Sequence, residues 1–362
     1  MANVFRAPRL VPMALWRCTV VLWSQALSAQ AARQGLPDFK TATWVAQREF
    51  DMIVSVLELK DGGVLVADLT TPAVHLLGAN GQPIRSIGRK GAGPGEFKEP
   101  RSVLPHRGDS SLIIDRAQRR MLVLSPAGAV VRTEMLYRDV QASANELHSD
   151  GRGALYFLKS AFSFDSAPGA TVPLLRWRVG EQRVDSLDAL RPVTTIRRMV
   201  NEKDGRPAMF VVRAVDYSPE DDWAIAPDGA IAVVRAQPYR IDWLLPNGTR
   251  AQGPVQPFTA IPVDASERDE FLGNAVPKTK PPFVASSTFA DPFGRVWVRH
   301  YAADKATTRR WSVFDRRGLL VTTMELPIRL ELVHAGPRGV YAVRRDADDI
   351  PSLELHQWRA GR

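Results

Sequence analysis

The sequence predicts an all-β fold, a six-bladed β-propeller built from four-stranded antiparallel blades. Three observations lead to this prediction: a short strand meander, its recurrence along the chain, and a surplus strand ahead of the first complete copy. The meander is clearest where apolar runs at residues 64–67, 74–77 and 84–87 alternate with polar turns such as Asn80-Gly81. Three such strands cannot bury both of their faces, so the unit needs neighbours of the same kind.

The meander recurs about six times at a period near 45 residues, which is typical of propeller blades. Each copy has an apolar second strand and an apolar third strand, and in the first two copies the second strand ends in Asp68 or Asp115. The third copy is degenerate and the last is truncated. The later copies pair residues 112–115 with 121–124, 155–158 with 174–179, 231–234 with 240–244, 296–298 with 311–314, and 340–343 with 353–358.

A surplus strand precedes the first complete blade. Residues 41–50 alternate apolar and polar side chains as a half-buried strand does, whereas the last copy has too few strands. We therefore predict that this N-terminal strand completes the last blade. Closure of this kind removes the exposed sheet edges that invite aggregation.

The glycine-rich segment between the first two blades is predicted to be a connection and not a phosphate site. It lacks a Gly-Lys-Ser/Thr ending, Pro94 interrupts it, and a strand follows it where a phosphate loop needs a helix. Its glycines allow tight turns, and Phe97 is predicted to anchor it between the blades.

Two long connections flank the fourth blade. Residues 191–217 form a basic connection with a short strand predicted at 209–212, and Asp264 with Glu267 forms a capping box that predicts a short helix at 265–273. A small, polar loop at 160–171 interrupts the third blade. A propeller carries specificity in such loops, and ordinary surface decoration is the alternative.

The sequence GRKGAGPGEFKEP (residues 88–100), followed by an apolar strand, resembles the blade-to-blade connection of NHL-repeat proteins. Residues 115–124 resemble the second half of the same repeat. The resemblance is specific in the first two blades and only patterned elsewhere, and it implies a six-bladed propeller of bacterial, exported type. It implies little about activity, because propellers host binding, scaffolding and enzymatic functions alike.

The N-terminus predicts a secretory signal peptide at residues 1–31, followed by one propeller domain at residues 32–362. Arginines precede an apolar run at 18–27, and Ala29-Gln30-Ala31 gives a small-x-small cleavage pattern. Cleavage removes Cys18, the one cysteine, so the exported protein would have no disulfide, thiolate nucleophile or cysteine-bound metal. No other apolar run is long enough to span a bilayer. We expect a monomer in the periplasm or outside the cell.

The net charge indicates the class of partner. Cleavage also removes three arginines and no acidic residue, which lowers the net charge from +9 to +6. Either the arginines are spread over a solvated surface, or they serve an anionic partner such as a glycan, a membrane surface or an anionic small molecule. Nucleic acid is not expected, because an aromatic-basic motif is absent from the sequence.

A ring of cations is the candidate ligand site. At the position of Asp68 and Asp115, where an acid can bond its own turn's backbone amides, the other four blades carry cations: Lys159, Arg235, Arg299 and Arg344. Converging cations near a central channel attract anions, and Arg197 and Arg198 of the basic connection start from the same face. In the alternative, each cation pairs locally with an acid such as Asp242, Asp304 or Asp346.

Three histidines offer a weaker, metal-binding alternative. His106, His148 and His334 each end a first strand before a glycine turn, and they would converge as in the amidating lyases whose propellers this fold resembles. The preferred interpretation is solvated turn histidines with no cofactor. No nucleophile elbow, HExxH motif or EF-hand loop is present in the sequence. The sequence thus predicts a binding or interaction module for an anionic ligand or a protein partner, with a metal-dependent lyase or lactonase-like hydrolase as the alternative.

Overall fold

Six four-stranded antiparallel sheets follow one another along the chain and form a closed ring around a central channel. The computed structural model describes residues 34–141, 146–159, 170–200, 209–268 and 272–360. Within them, the inner strand of each blade contacts the inner strands of both neighbours. The predicted six-bladed propeller is therefore confirmed, whereas the predicted signal peptide lies outside the described residues.

Each blade runs from an inner strand at the channel to an outer strand at the periphery. Blades 1 to 3 comprise Ile53–Glu58, Val64–Asp68, Ala73–Leu77 and Pro83–Ile87; Pro100–Pro105, Ser111–Asp115, Arg120–Leu124 and Val130–Met135; and His148–Ser149, Ala154–Leu158, Val172–Arg178 and Asp185–Leu190. Blades 4 to 6 comprise Asp222–Ile225, Ile231–Ala236, Tyr239–Leu244 and Arg250–Gln252; Phe289–Ala290, Val296–Arg299, Thr308–Phe314 and Leu320–Pro327; and Leu330–Ala335, Gly339–Arg345, Pro351–Gln357 and Trp44–Val45.

The last blade is completed by the N-terminal strand, as predicted. Trp44 lies opposite Leu355 in the sheet, and the flanking Ala46 N–H donates to the Leu353 carbonyl at 2.8 Å. A second pairing, Gln34–Gly35 with Arg359–Ala360, joins the two ends of the described chain. The Trp44 ring also rests on the Gly81 turn of blade 1, where a Cβ would lie 2.6 Å from it. The closing strand thus contacts both the last blade and the first.

The middle strands of the blades are buried on both faces because neighbouring blades cover them. All residues of Val64–Asp68 and Ser111–Asp115 are buried, which explains their unbroken apolar runs. Trp223, Trp243, Trp297 and Trp311 are at most 2% exposed, and Trp358 packs against the same core as Trp297. The tryptophans thus pack within the blades.

The glycine-rich connection wraps around Phe97. This ring is fully buried between apolar residues of blades 1 and 2, including Ile87 and Val103. Gly88 adopts φ +70, and a Cβ there would lie 2.3 Å from the Phe97 ring. The predicted anchor is confirmed, and the glycine is required by the close approach of the ring.

The connections that flank blade 4 differ from their predictions. The first contains a hairpin of Thr195–Val200 with Met209–Ala214, where only one short strand was predicted. In the second, the Asp264/Glu267 capping box is present, but the helical structure among the described residues is a 3₁₀ turn at Ala265–Glu267 and another at Gly273–Ala275. Arg268, in the extended conformation, ends the first turn. Most of the predicted loop at 160–171 lies outside the described residues.

Helical structure is otherwise limited to the α-helical turn Arg138–Gln141 and a 3₁₀ turn at Arg107–Asp109 in the part of the chain that the structure covers. Among the described helices, none is long and apolar enough to cross a membrane.

Candidate functional site

The central channel is a cavity of about 580 Å³ to which all six inner strands contribute. Hydrogen bonds link these strands across blades: Ser55 Oγ accepts from the Val103 amide at 3.0 Å, and Ser149 Oγ donates to the Pro105 carbonyl at 2.6 Å. The channel walls are therefore pre-formed, and the volume lies in the range of small-ligand sites.

The two faces of the ring are distinguished by the loops they carry. We call the face that bears the connections between blades, and the turns after the second strands, the connection face. The opposite face, where each inner strand turns into the second strand, is called the hairpin face. Both insertions flanking blade 4 start from the connection face.

The four predicted cations all lie on the connection face, but they are in different environments. Arg299 lines the channel, whereas Lys159, Arg235 and Arg344 do not. Lys159 is exposed. Arg344 donates to both carboxylate oxygens of Glu354, at 2.6 and 3.0 Å. Local pairing, the alternative that the sequence left open, is therefore present at Arg344.

Arg235 forms the most extensive of these ion pairs. Its guanidinium donates to Asp188 at 2.8 Å, Asp221 at 3.0 Å and Asp242 at 3.3 Å, and only 17% of the side chain is exposed. The predicted pairing with Asp242 is confirmed. Three carboxylates surround one guanidinium, so this position offers little free positive charge to a ligand.

Arg299 belongs to a cluster in which cations outnumber acids. Its Nη1 donates to Glu331, and Arg309 Nη1 donates to the other oxygen of the same carboxylate at 2.9 Å. Burial, and next the positive charge of Arg299, lower the pKa of Arg309. The Nε of Arg299 finds no hydrogen-bond partner among the described residues. This nitrogen is itself buried, so what the cluster offers beside the channel is its net positive charge.

Arg197 and Arg198 lie on the hairpin of the first insertion, opposite Val212 and Val211. Their predicted role in ligand binding stays a prediction.

Asp68 and Asp115 have a structural role different from the predicted one. Asp68 accepts from the amides of Asp51 and Met52 at 2.9 and 3.1 Å, and Asp115 accepts from those of Lys98 and Glu99. The prediction that they bond their own turn is wrong. The segment that precedes the inner strand passes beside the end of the second strand. Its backbone amides donate to the carboxylate, which therefore does not bond the turn that follows it.

His106 is buried, so the prediction of solvated turn histidines is wrong for this residue, whereas His148 and His334 are half-buried. His106 is 4% exposed, and His148 packs against Trp223 with ring centroids 4.3 Å apart. Burial lowers the pKa of both His148 and His334 to about 4, because it disfavours the charged form. His148 and His334 line the channel and His106 does not. Among the described residues, no group of three or more side chains is placed to hold a metal ion.

Two acids at the entry to blade 4, the buried Asp222 and the half-buried Glu220, were missed in the sequence. Asp222 accepts from the amides of Ser287 and Thr288 at 3.2 and 3.0 Å, which ties blade 4 to blade 5, and burial raises its pKa to about 6. Burial, together with the charge of Asp222, raises the pKa of Glu220 to about 7. The signal was present as three consecutive acids, residues 220–222, ahead of a predicted inner strand.

The insertions that flank blade 4 dock onto each other. Tyr217 of the first donates its hydroxyl to Glu267 of the second at 3.1 Å, and Lys280 donates to the same carboxylate at 2.5 Å. Lys280 also donates to the Ala302 carbonyl of blade 5 at 3.0 Å. The second insertion then returns through residues 286–288, which line the channel. Lys280 is therefore a structural tie between the insertions and the ring.

The fold is similar to that of two solved bacterial proteins. A member of the DUF4221 family from Bacteroides vulgatus gives a TM-score of 0.55 at 8% identity, over 91% of this chain and 100% of that one. A candidate exported protein from Bacteroides fragilis gives 0.52 at 11% identity, over 88% and 94%. At such identities the likeness shows the fold alone.

No family model matches the chain, and no curated protein sequence matches it. The six-bladed propeller is thus confirmed, while the narrower resemblance to NHL repeats stays a prediction.

Proposed function

We propose that the protein is an exported binding module whose central channel takes a small ligand with a carboxylate or comparable anionic group. Arg299 is the residue that binds this group. The observation that carries the proposal is the position of Arg299: of the predicted cation ring, it is the member that lines the channel.

The charge balance around Arg299 supports an anionic ligand. Glu331 is shared between Arg299 and Arg309, so one carboxylate faces two guanidinium groups. A ligand carboxylate can accept hydrogen bonds from the exposed part of the Arg299 guanidinium, whose side chain is 20% exposed, and guanidinium groups match the planar geometry of carboxylates. Export follows from the predicted signal peptide, and N-terminal sequencing of the secreted or periplasmic protein tests it by locating cleavage after Ala31.

Titration calorimetry tests the binding proposal. The mature protein is titrated with small monocarboxylates, with acidic oligosaccharides and with the methyl esters of both, which separates a free small molecule from a glycan as the source of the anion. We expect the acids to bind and the esters not to. Arg299→Gln should weaken binding by about tenfold to a hundredfold, the scale of one charge-assisted hydrogen-bonded contact.

The matched control is Arg310→Gln. Arg310 lies on the third strand of blade 5 next to Arg309, pairs with Glu325 and is more than half exposed, so its loss removes the same charge away from the channel. The proposal is wrong if no acid binds, or if Arg299→Gln binds as tightly as the wild type. Conversion of a bound acid or ester to a product would favour the enzyme alternative.

A further inference from the structure

Three charged side chains line the channel among the described residues: Arg299, Glu331 and Asp150. Arg299 ends the second strand of blade 5, which places it at the connection face. Asp150 follows the inner strand of blade 3, which places it at the hairpin face. Because Glu331 is engaged by two arginines, the channel has a positive group at one end and a negative group at the other.

The carboxylate of Asp150 is held in place by neutral donors. Its Oδ1 accepts from the amides of Arg152 and Ala154 at 2.8 and 3.1 Å, and its Oδ2 accepts from the Tyr156 hydroxyl at 3.2 Å. These bonds fix the orientation of the group without supplying a positive charge. The neighbouring channel histidines, His148 and His334, are neutral at pH 7 because burial lowers their pKa to about 4.

We propose that the ligand of the channel is a zwitterion, with its anionic end at Arg299 and its cationic end at Asp150. This inference rests on the proposed function and adds the second end of the ligand. The lined part of the blade 6 inner strand, residues 331–335, spans about 13 Å at about 3.3 Å per residue. A short peptide with free termini, or an ω-amino acid, has a charge separation that suits this length.

Four probes of simple chemistry test the inference by titration calorimetry: triglycine, N-acetyltriglycine, triglycine amide and 6-aminohexanoate. We expect triglycine to bind, and acetylation of its amine to weaken binding by about tenfold or more through loss of the ion pair. Asp150→Asn keeps the Oδ1 acceptor and removes the charge, so it should abolish the preference for the free amine. Binding of 6-aminohexanoate as tight as that of triglycine would identify charge spacing alone as the recognised feature, and weaker binding would identify the peptide backbone as part of it.

Asp346→Asn is the matched control. Asp346 Oδ1 accepts from the amides two and four residues later, those of Asp348 and Ile350, in the same pattern as Asp150, but the residue is exposed and remote from the channel lining. It should bind all probes as the wild type does, and thermal unfolding of both variants checks that the fold is kept.

Failure of the inference is distinct from failure of the proposed function. If N-acetyltriglycine binds as tightly as triglycine, or Asp150→Asn leaves the preference unchanged, the zwitterion is wrong and the anionic site stands. If triglycine amide binds as tightly as triglycine and Arg299→Gln has no effect, the anionic site itself is wrong. Monocarboxylates that bind more tightly than every zwitterion would also overturn the inference alone.

Discussion

The residue at the end of the second strand ties that strand to the entry of its own blade, and it can be an acid or an arginine. In blades 1 and 2 an aspartate accepts from amides of the segment that enters the inner strand. In blade 4 the polarity is reversed, because Arg235 donates to Asp221, the residue just before the inner strand Asp222–Ile225. In both cases the end of the second strand is tied to the entry of its own blade.

Replacing Asp115 should destabilise the fold strongly. Asp115 is fully buried, and Asp115→Ala leaves the Lys98 and Glu99 amides without their acceptor. We expect the free energy of unfolding to fall by about 2–4 kcal/mol, the cost of two unsatisfied buried donors. Chemical denaturation measures this, and Asp109→Ala, at an exposed ion pair with Lys60, should change it by less than about 1 kcal/mol. Equal effects of the two substitutions would contradict the role assigned to Asp115.

Glu220 should make stability depend on pH in a defined direction. Its pKa is raised to about 7 from an ordinary 4.5, so the folded state binds a proton more readily than the unfolded state. Its contribution to stability is therefore present below pH 4.5 and is lost as the pH rises through 7. Glu220→Gln lacks this loss. The free energy of unfolding of the variant should therefore rise by about 1–3 kcal/mol relative to that of the wild type between pH 5 and pH 8.

The histidines change stability with pH in the opposite direction to Glu220, but their contribution is the same in Glu220→Gln and in the wild type. The lowered pKa values of His148 and His334 give a contribution that is present above pH 6.5 and is lost as the pH falls through 4, and it is common to both proteins. Glu49→Gln removes one negative charge at an exposed position and is the control for that general effect. A constant difference between Glu220→Gln and the wild type across this range would rule out the raised pKa.

Which arginine faces the channel could not be predicted from the repeat. Arg235, Arg299 and Arg344 occupy equivalent positions, and the sequence alignment places all three on one face, as the structure confirms. Their partners come from other strands or other blades: Asp188 lies in the preceding blade and Glu331 in the following one. Such partners depend on how the blades are rotated against each other, which no local pattern encodes.

At the scale of elements, the two insertions form a small unit of their own. Val263, Leu272 and Val276 of the second insertion pack with Ile196 and Tyr217 of the first. This apolar cluster is small, so the polar tie through Lys280 is a large part of what holds the unit to blade 5. The capping box was predictable because it is local, whereas the docking of two segments 50 residues apart was not.

Lys280→Ala should release the insertions without unfolding the ring. Lys280 is 4% exposed, and its loss removes a bond to Glu267 within the second insertion and a bond to Ala302 that joins the insertion to blade 5. We expect the free energy of local opening at residues 263–276 to fall by about 2–4 kcal/mol, so their amide hydrogens should exchange faster. The exchange of the blade strands should stay unchanged. Lys278→Ala, two residues away and exposed, is the control. Uniform acceleration across all blades would show that the insertions are not an independent unit.

At the scale of the whole molecule, stability depends on closure of the ring. The surplus strand and the truncated last copy were both visible in the sequence, because strand periodicity is local and the repeat supplies the count. The channel environment could not be predicted, because Asp222 becomes buried and His334 half-buried only when six inner strands converge. The strands and their number are therefore predictable from the repeat, whereas the burial of the channel residues, which depends on the assembled ring, is not.

Deleting residues 32–50 should leave blade 6 with an unpaired edge. The deletion removes Trp44, Ala46 and Phe50, which pack in the core shared by blades 1 and 6. We expect the Tm to fall by about 10 °C or more, since several buried side chains and strand hydrogen bonds are lost together. Truncation after Trp358, which removes the outer pairing with Gln34–Gly35 and the Arg359–Asp38 ion pair, should lower it by far less. A deletion variant that melts like the parent would contradict closure by this strand.

Closure by the first strand also sets the order in which the molecule is completed. Trp44 and Leu355 are neighbours in the sheet although more than 300 positions separate them in the chain. During synthesis or export from the N-terminus, blades 1 to 5 can form in turn, while residues 44–45 wait for a partner that emerges last. The final step is then one long-range contact, the kind that slows folding because loop entropy is lost before the contact forms. Until that step, the waiting strand fits blade 6 of a second molecule equally well, and exchange between chains competes with closure as the concentration rises.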